Sequence, residues 1–495
     1  EQNSPKEPCN FNSKSKLLIR QALQKTFQLK ELFRDQAERL MKQPNDTESI
    51  LKHFERISRP LENSLLGDLE MLHDLMAEED GKEIQELNEI AQAMIYKSQN
   101  PSDCKKANKL HCSVDHVTCG FGCLMHDYGL CMFVAAGETR AMQYDLNQLQ
   151  SYPGINSTFK YPSETCVDTT DFGTSVEWRP DFHVNATSEK NEVVTFPITG
   201  PYTSHSLFSP GTVPDQLIPR IERVHADPTA WWTGHIISYF LRPQQHILNE
   251  LEAVKLEIKF SHPIVGLHVR RTDKITEAAY FTLEMYMYHV ENWYERYSMK
   301  NPDDKVTKRV YLATDEAEIV KEAKTKYPEY TFVTMLGKLL NNSQDRHSDS
   351  ALKSILFDVL LLKECNFTVV TFSSNVGRLV YELQQNLPKD PSFSTVSLDD
   401  PYHYWGEIGQ VQVATMEHNP PSSVLCSGTQ QREYFTKMRT WTCELQLKVG
   451  DKLQMLPFMQ HNYLIGGYNR RTGLHGLYPA HKVKDVITAA PYPTY

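Results

Sequence analysis

Two adjacent arginines follow an apolar run in the segment HVRRTDK (268–274). The run PIVGLHV is typical of a buried strand, so Arg270 and Arg271 stand where that strand should end. Polar residues also follow two later apolar runs, namely Thr314, Asp315, Ser373, Ser374 and Asn375. Open parallel sheets bind ligands beyond the carboxyl ends of their strands, and arginine forms paired hydrogen bonds with phosphate. These residues therefore predict a site for a phosphate ester.

The same arginines also have a purely structural interpretation, in which the strand-end guanidinium pairs with Asp273. The sequence leaves both interpretations open. It contains no Walker-type loop, no GxGxxG turn after a strand and no Asp-x-Asp pair. A glycosyltransferase that holds its diphosphate through a metal ion is therefore disfavoured, and arginine would have to supply the positive charge.

Alternating apolar and helical segments must position these residues. Four near-continuous apolar runs are separated by helical material, at 263–269, 309–314, 330–335 and 367–372. Runs of this length and composition predict strands that are buried on both faces. Their alternation with helices predicts a parallel sheet covered on both sides.

The N-terminal part of the chain has a helical pattern. Apolar residues recur at helical spacing over 14–42 and 61–96, with a break near QPNDT, which predicts a helical hairpin. The hairpin is either a dimerising coiled-coil stem or a pair of helices packed on their own domain. Cys9 could cross-link two chains.

The cysteines are unevenly distributed. Six of the ten lie between 104 and 166, which indicates a disulfide framework formed in an oxidising compartment. A zinc site is the alternative, although CGFGC is the only close pair. Around this cluster, CMFVAAG (131–137) and NEVVTFPI (191–198) are predicted to form short strands.

Composition limits the remaining possibilities. A chain of 495 residues can hold two or three domains. Its formal net charge of −10, without a basic run, argues against a nucleic acid held through phosphate contacts. No apolar run approaches the roughly 20 residues that cross a bilayer, so the chain is expected to be soluble. Its first residue, Glu1, predicts processing or truncation.

Several segments together resemble the α1,6-fucosyltransferase family, which acts on N-glycan cores. They are HVRRTDK, RVYLATD, TVVTFSSNVGRLVYE, RVHADPTAWW and PSETC. The similarity covers 104–403 and, more loosely, the tail. It implies a GT-B-like α/β fold with a helical coiled-coil stem over 1–100, a catalytic domain over 104–403 and an SH3-like domain over 408–488. The catalytic domain would consist of a cysteine-rich open α/β part (104–224) and a Rossmann part (225–403).

The resemblance implies GDP-fucose as the donor, with no metal required. The donor-binding residues would be His268, Arg270, Arg271, Asp358, Ser374, Asn375, Gly120 and Tyr152. Asp358 suits this role chemically, because one carboxylate can accept hydrogen bonds from both N1–H and the exocyclic amine of guanine. Alternatively, Asp358 faces solvent or caps a helix.

The resemblance also implies an inverting transfer of fucose to O6 of the Asn-linked N-acetylglucosamine. Glu277 would be the general base, and Arg270 would stabilise the departing GDP. Asp273 and Lys274 would orient the acceptor or tune the pKa of the base. The acceptor-binding residues would be Lys274, Asp400, Tyr402 and His461.

Two of these assignments have alternatives. The loop that carries Glu277 is one residue shorter than the family pattern, and Glu277 could instead lie in the first turn of the helix EAAYFTLEMYMYHV. His461 could be an ordinary surface histidine.

The family pattern implies three disulfides, Cys104–Cys166, Cys112–Cys131 and Cys119–Cys123. Val370 and Gly377 stand where the family has a further cysteine pair. Cys426 and Cys443 could staple an insertion, and Cys365 is expected to be a buried free thiol.

The tail segments ELQLKVGDKLQMLPF (444–458) and GLYPAHKV (476–483) resemble an SH3 barrel. Barrels that bind proline-rich ligands use a tryptophan in the groove, and none follows Trp441. The barrel is therefore expected to pack on the catalytic domain or to help hold a glycan.

The family further implies a type II membrane protein of the Golgi lumen, anchored ahead of Glu1. It implies a homodimer formed through the stem and an N-glycan on a glycoprotein as the acceptor. Two alternatives remain, a protein O-fucosyltransferase-like enzyme and a catalytically dead dimeric scaffold. The presence of Arg270, Asp358 and Glu277 argues against the scaffold.

Overall fold

The computed structural model of the chain describes residues 13–42, 46–113, 120–144, 154–167, 176–179, 193–197, 206–271, 280–335, 349–404, 410–427, 433–435, 438–440, 443–461 and 464–494. The chain forms two compact units. The first consists of residues 1–82 and 287–307, and the second of residues 83–286 and 308–495.

The first unit is helical. Helix α1 (Ser13–Lys42) is followed by α2 (Thr47–Gln99), so the predicted hairpin and its break near QPNDT are confirmed. Lys25 Nζ of α1 lies 2.6 Å from Asp68 Oδ2 of α2. Residues 287–300 of a third helix also contact α2, since Arg59 pairs with Glu291 at 3.0 Å. At least part of the hairpin therefore packs on its own chain.

The second unit begins with an open α/β part. After α2 come β1 (Lys109–Ser113), α3 (Phe121–Gly137), β2 (Ala141–Gln143), α4 (Ile155–Thr158), β3 (Val176–Glu177) and β4 (Val193–Pro197). The strands form a parallel sheet in the order β2-β1-β4-β3. The strand predicted within 191–198 is confirmed.

The strand predicted at 131–137 is wrong, because these residues form the second half of α3. Almost every residue of α3 is buried, including Met132, Phe133 and Val134. A helix that is covered on all sides is apolar all round, so its sequence lacks the amphipathic period that marks a helix.

The chain then crosses into the second α/β part through β5 (Thr212–Pro214), α5 (Ile218–Val224), α6 (Pro228–Phe240) and α7 (Gln245–Glu257). The side chain of Asp227 accepts a hydrogen bond from Ala230 N and so caps α6. Proline at the first helical position supports the same start. The helix is buried along almost its whole length, with Trp231 and Trp232 in the core.

The second α/β part is a Rossmann-type sheet. It consists of β6 (Ile264–Val269), α8 (Leu283–Lys300), β7 (Arg309–Thr314), α9 (Ala317–Lys326), β8 (Thr331–Val333), α10 (Asp349–Glu364), β9 (Phe367–Val370), α11 (Asn375–Gln384) and β10 (Thr395–Ser397). The strand order is β10-β9-β6-β7-β8, and every pair is parallel. The four predicted strands are confirmed, whereas β10 was too short and too polar to be predicted. Two parallel sheets confirm the predicted GT-B-like α/β class.

The C-terminal part is a small β module. Its strands are β11 (Val411–Ala414), β12 (Glu433–Phe435), β13 (Met438–Thr440), β14 (Lys452–His461), β15 (Leu464–Asn469), β16 (Leu474–Pro479), β17 (Val483–Asp485) and β18 (Thr488–Ala490). Five of them form an antiparallel sheet in the order β16-β15-β14-β11-β17. This order is compatible with an SH3-like barrel, which stays an interpretation. After the module, β18 pairs with β5 of the α/β part.

Three disulfides are present in the described residues, Cys104–Cys166, Cys112–Cys131 and Cys426–Cys443. Cys365 is a buried free thiol, as predicted. Cys119 and Cys9 lie outside the described residues, so the pairing of Cys119 with Cys123 stays a prediction. None of the described helices is long and apolar enough to span a membrane.

Candidate active site

Some of the predicted site residues lie at one edge of the Rossmann-type sheet. Strands β6 and β9 are neighbours, with Leu267 opposite Val369, and both run in the same direction. His268, which is buried, and Arg270, which is half-buried, therefore lie at the same edge as the turn between β9 and α11. This is the edge at which open α/β sheets bind ligands.

The start of α11 is suited to an anion. Ser374 is the N-cap residue, but its side chain makes no capping hydrogen bond. Ser374 is only 2% exposed, and its buried hydroxyl has no partner in the part of the chain that the structure describes. A helix N-terminus carries unsatisfied N–H groups and a partial positive charge, so a phosphate oxygen placed here would find several donors.

The start of α3 comes close to the start of α11. A Cβ atom added to Gly122 would lie 2.9 Å from the Cβ of Asn375 and 3.1 Å from the backbone N of Val376. Gly120 is the N-cap residue of α3, and a Cβ atom added there would meet no atom of the described residues within 4 Å. Among these residues, Gly120 therefore leaves room for a ligand near two converging helix N-termini.

Asn375 is held by a residue that the sequence analysis missed. Arg378, which is buried, donates from Nη2 to Asn375 Oδ1 and from Nη1 to Phe372 O. It also lies 2.8 Å from Nε2 of His403. Its position one turn after Asn375 is visible in the sequence, but its tertiary contacts are not.

Asp399 is a second missed residue. Its Oδ1 accepts hydrogen bonds from Phe372 N at 2.7 Å and from Ser373 N at 3.3 Å. The same oxygen accepts from Ser397 Oγ at 2.9 Å and from Asp400 N at 2.7 Å. One carboxylate oxygen thus ties the turn before α11 to the segment after β10. Asp399 follows a strand that the sequence did not predict, so the sequence carried no signal for it.

Asp358 lies in the interior of α10, so the alternative that it caps a helix is wrong. Tyr311, on β7, donates a hydrogen bond from its hydroxyl to Asp358 Oδ1. Burial raises the pKa of Asp358 to about 7, and the Tyr311 hydrogen bond opposes this rise. Asp358 is still partly exposed, so its carboxyl group retains an open side.

The two arginines have different surroundings. Arg271 donates from Nη2 to Phe281 O at 3.0 Å, and its Nη1 lies 3.7 Å from Glu322 Oε2 on α9. Its guanidinium carbon lies 4.7 Å from the ring centre of Tyr280. Arg271 is therefore a paired strand-end arginine with Glu322 as one partner. Asp273 lies outside the described residues, so its pairing with an arginine stays a prediction.

Several predicted residues cannot be placed. Asp273, Lys274, Glu277 and Tyr152 lie outside the described residues, and His461 ends β14 with its side chain undescribed. The described helix α8 begins at Leu283. The described residues contain no cluster of three or more His, Cys, Asp or Glu side chains that could hold a metal ion.

The two acceptor-site candidates after β10 are buried. Asp400 is close to Asp399 in the wall of the site. Tyr402 donates its hydroxyl to Glu382 Oε1 at 2.9 Å and packs against Phe372. Because this hydroxyl is already bonded within the protein, the contacts of Tyr402 favour a supporting role in the wall.

The fold and site define a GT-B-like α/β protein with a candidate ligand site at one edge of its Rossmann-type sheet. A family profile described as "Alpha-(1,6)-fucosyltransferase N- and catalytic domains" matches residues 2–403, and the chain belongs to this family.

Two relatives named alpha-(1,6)-fucosyltransferase also match the chain. The chain is 33% identical to the alpha-(1,6)-fucosyltransferase of Drosophila melanogaster over 87% of its length, and 32% identical to that of Caenorhabditis elegans over 79%. In each case the matched part covers 66% of the relative. Among solved structures, NodZ alpha-1,6-fucosyltransferase soaked with GDP-fucose shows 15% identity, with 56% of this chain and 92% of that chain covered and a TM-score of 0.33. POFUT1 shows 10% identity, coverage of 60% and 99%, and a TM-score of 0.32.

Proposed function

We propose that the chain transfers fucose from GDP-β-L-fucose to O6 of the Asn-linked N-acetylglucosamine of N-glycans. The observation that carries this proposal is the buried Ser374 hydroxyl, without a partner among the described residues, at the start of α11. Arg270 lies at the same edge of the sheet. Gly120 is the N-cap residue of α3, whose start lies close to the start of α11. Family membership supplies the reaction class, and these residues supply a place for a diphosphate.

The donor would be held without a metal ion. Arg270 and the two helix N-termini would bind the diphosphate, with Ser374 and Asn375 lining it. Asp358 and His268 would contact the nucleoside, with the carboxylate accepting two hydrogen bonds from guanine. We retain Tyr152 as a candidate beside the nucleotide on family resemblance alone.

The transfer would be a single displacement with inversion. Glu277 would take the proton from O6 of the acceptor while that oxygen bonds to C1 of fucose. The bond from C1 to the β-phosphate oxygen breaks, and its electron pair leaves with GDP. Arg270 would stabilise the charge that develops on GDP, and Asp273 and Lys274 would orient the acceptor. Asp400 and His461 remain acceptor-site candidates.

The proposed domain boundaries are 1–100 for the stem, 104–403 for the catalytic domain and 408–488 for the SH3-like domain. We propose that the stem forms a homodimer, since α1 exposes the large apolar side chains Leu23, Phe27, Phe33 and Met41. The full protein would be a type II membrane protein of the Golgi lumen, acting on glycoproteins.

The proposal is tested by incubating the chain with GDP-fucose and an N-glycan that carries an unsubstituted N-acetylglucosamine on its α1,3 arm. Fucose is expected on O6 of the Asn-linked sugar, identified by mass spectrometry and NMR. The rate is expected to be the same in EDTA, because no step needs a divalent ion. Transfer only to a peptide hydroxyl would support an O-fucosyltransferase, and GDP binding without turnover would support a scaffold.

Guanine binding is expected to depend on pH through Asp358. Its raised pKa keeps part of the group protonated below pH 7, and only the carboxylate accepts both guanine donors. The Kd for GDP is therefore expected to rise by up to about tenfold per pH unit below about pH 7, and to be flat above it. Isothermal titration between pH 5.5 and 8, at approximately unit steps, measures this slope.

The variant Asp358→Asn serves as the comparison. It is expected to bind GDP more weakly at every pH and to lose the part of the slope that comes from the carboxyl group. Any slope that remains reports the titration of the phosphate of GDP itself. An equal slope in the variant and the unmodified chain would remove Asp358 from guanine recognition.

A further inference from the structure

A buried histidine and a buried glutamate connect the two helices whose starts converge at the site. His126 lies on α3, which belongs to the open α/β part, and Glu382 lies on α11 of the Rossmann part. His126 Nε2 lies 3.1 Å from Glu382 Oε1, and both side chains are 0% exposed. Neither residue has a part in the proposed transfer itself.

A proton must lie between these two side chains. His126 Nδ1 lies 2.5 Å from Gly122 O, and a carbonyl oxygen only accepts, so Nδ1 carries a proton. Nε2 then faces a carboxyl oxygen, and the two atoms form a hydrogen bond only if one of them is protonated as well. The pair is therefore either imidazolium with carboxylate or imidazole with carboxylic acid, and it is neutral overall in both forms.

The pair is connected to the site at both helix starts. On α3, Gly122 accepts from His126 and lies against Asn375, since an added Cβ atom would be 2.9 Å from the Cβ of Asn375. On α11, Arg378 lies one turn before Glu382 and donates a hydrogen bond to the side chain of Asn375. Contacts between buried groups thus lead from the start of one helix to the start of the other.

Two tyrosines after β10 are bonded to the same pair. Tyr402 donates from its hydroxyl to Glu382 Oε1 at 2.9 Å. Tyr404 donates from its hydroxyl to His126 O at 2.6 Å. In the part of the chain that the structure describes, Glu382 Oε2 has no partner, so the contacts of this carboxyl group there all involve Oε1. The pair therefore also holds the segment that carries Asp400.

We propose that His126 and Glu382 are positioning residues, which hold the starts of α3 and α11 at the separation that a diphosphate requires. The proposal rests on the proposed function, in which the two helix N-termini bind the diphosphate of the donor. Neither side chain is exposed, so neither is placed to contact the donor itself. A helix start binds phosphate only through N–H groups that point at it, so a shifted helix would weaken diphosphate binding. The nucleoside contacts of Asp358 and His268 would be unaffected.

The test compares the affinities for GDP and for guanosine, which lacks the diphosphate. His126→Leu and Glu382→Leu fill the same space with an apolar side chain but cannot form the shared hydrogen bond. Both are expected to raise the Kd for GDP by about 10- to 100-fold, the value of one hydrogen bond to a charged group. The Kd for guanosine is expected to change by less than about twofold. Isothermal titration with GDP and ligand-detected NMR with guanosine measure the two constants, and thermal unfolding checks the fold.

Two milder variants test the same contacts if leucine prevents folding. Glu382→Gln retains them, because its amide N–H donates to Nε2 of a neutral His126 and its oxygen accepts from Tyr402. Its Kd for GDP is expected to stay within about threefold of that of the unmodified chain. Tyr402→Phe removes one bond to Glu382 and is expected to raise the Kd for GDP by about 2- to 10-fold, again without an effect on guanosine.

A histidine–glutamate pair in the β module supplies the matched control. His418 Nε2 lies 2.7 Å from Glu444 Oε2, and His418→Leu is expected to leave the ratio of the two Kd values unchanged. An unchanged Kd for GDP in His126→Leu and Glu382→Leu, or an equal loss of affinity for GDP and guanosine, would overturn the positioning role alone. If the unmodified chain binds no GDP, the proposed function fails and this role fails with it.

Discussion

Replacing Glu277 with glutamine is expected to lower kcat for fucose transfer by about 10²- to 10⁴-fold, the usual contribution of a general base. Glutamine keeps the size of the side chain but cannot take the acceptor proton. The affinity for GDP is expected to be unchanged, because Glu277 is not among the proposed donor ligands. Steady-state rates and isothermal titration with GDP measure the two effects separately.

A pH profile strengthens this test. The unmodified chain is expected to lose activity at low pH as the base becomes protonated, and Glu277→Gln is expected to lack that acidic limb. Glu318→Gln, an exposed change of the same kind on α9, is the matched control. If Glu277→Gln transferred fucose at the rate of the unmodified chain, Glu277 would be excluded as the base. Another carboxylate would then have to take the proton.

Replacing Arg270 with lysine is expected to lower kcat by about 10²- to 10³-fold, which is the typical cost of removing one stabilising donor from a transition state. Lysine keeps the positive charge but cannot form two parallel hydrogen bonds with a phosphate. Because the diphosphate is also bound before the reaction, the Kd for GDP is expected to rise as well. Initial rates with saturating GDP-fucose separate the two effects.

A control variant makes this prediction specific. Arg270→Lys is expected to weaken GDP binding, whereas Glu318→Gln, an exposed change on α9, is expected to leave it unchanged. Added Mg²⁺ or Mn²⁺ is not expected to restore the rate of Arg270→Lys, because no metal shares the proposed task. A rate close to that of the unmodified chain, or full rescue by a divalent ion, would contradict the role given to Arg270.

Arg270 and Arg271 show where sequence reasoning ends. Both follow the same apolar run, and the sequence placed them correctly at the end of β6. What distinguishes the surroundings of Arg271 is its contacts with Glu322 on α9 and with Tyr280 and Phe281. Neighbours in the sequence can have unrelated tertiary partners, so residue type and spacing alone could not distinguish them.

The missed residues have the same explanation. Asp399 accepts hydrogen bonds from the backbone of Phe372 and Ser373. Arg378 donates to the carbonyl of Phe372 and contacts the ring of His403. The contacts of Asp399 with Phe372 and Ser373, and that of Arg378 with His403, join segments about 25 residues apart, which meet only after the sheet has formed. An isolated aspartate or arginine in a sequence is more often a surface residue, so neither had a distinguishing signal.

The sequence by itself determined the parallel Rossmann-type sheet, the helical hairpin and the edge at which polar residues gather. These features follow from local periodicity and from apolar runs bounded by polar residues, which depend only on neighbours along the chain. Only the tertiary structure decided that 131–137 is helical, because burial on all sides removes the periodic signal. It likewise decided that Arg271 pairs with Glu322 and that Asp399 holds the turn before α11, because those hydrogen bonds and ion pairs join groups that are distant in sequence.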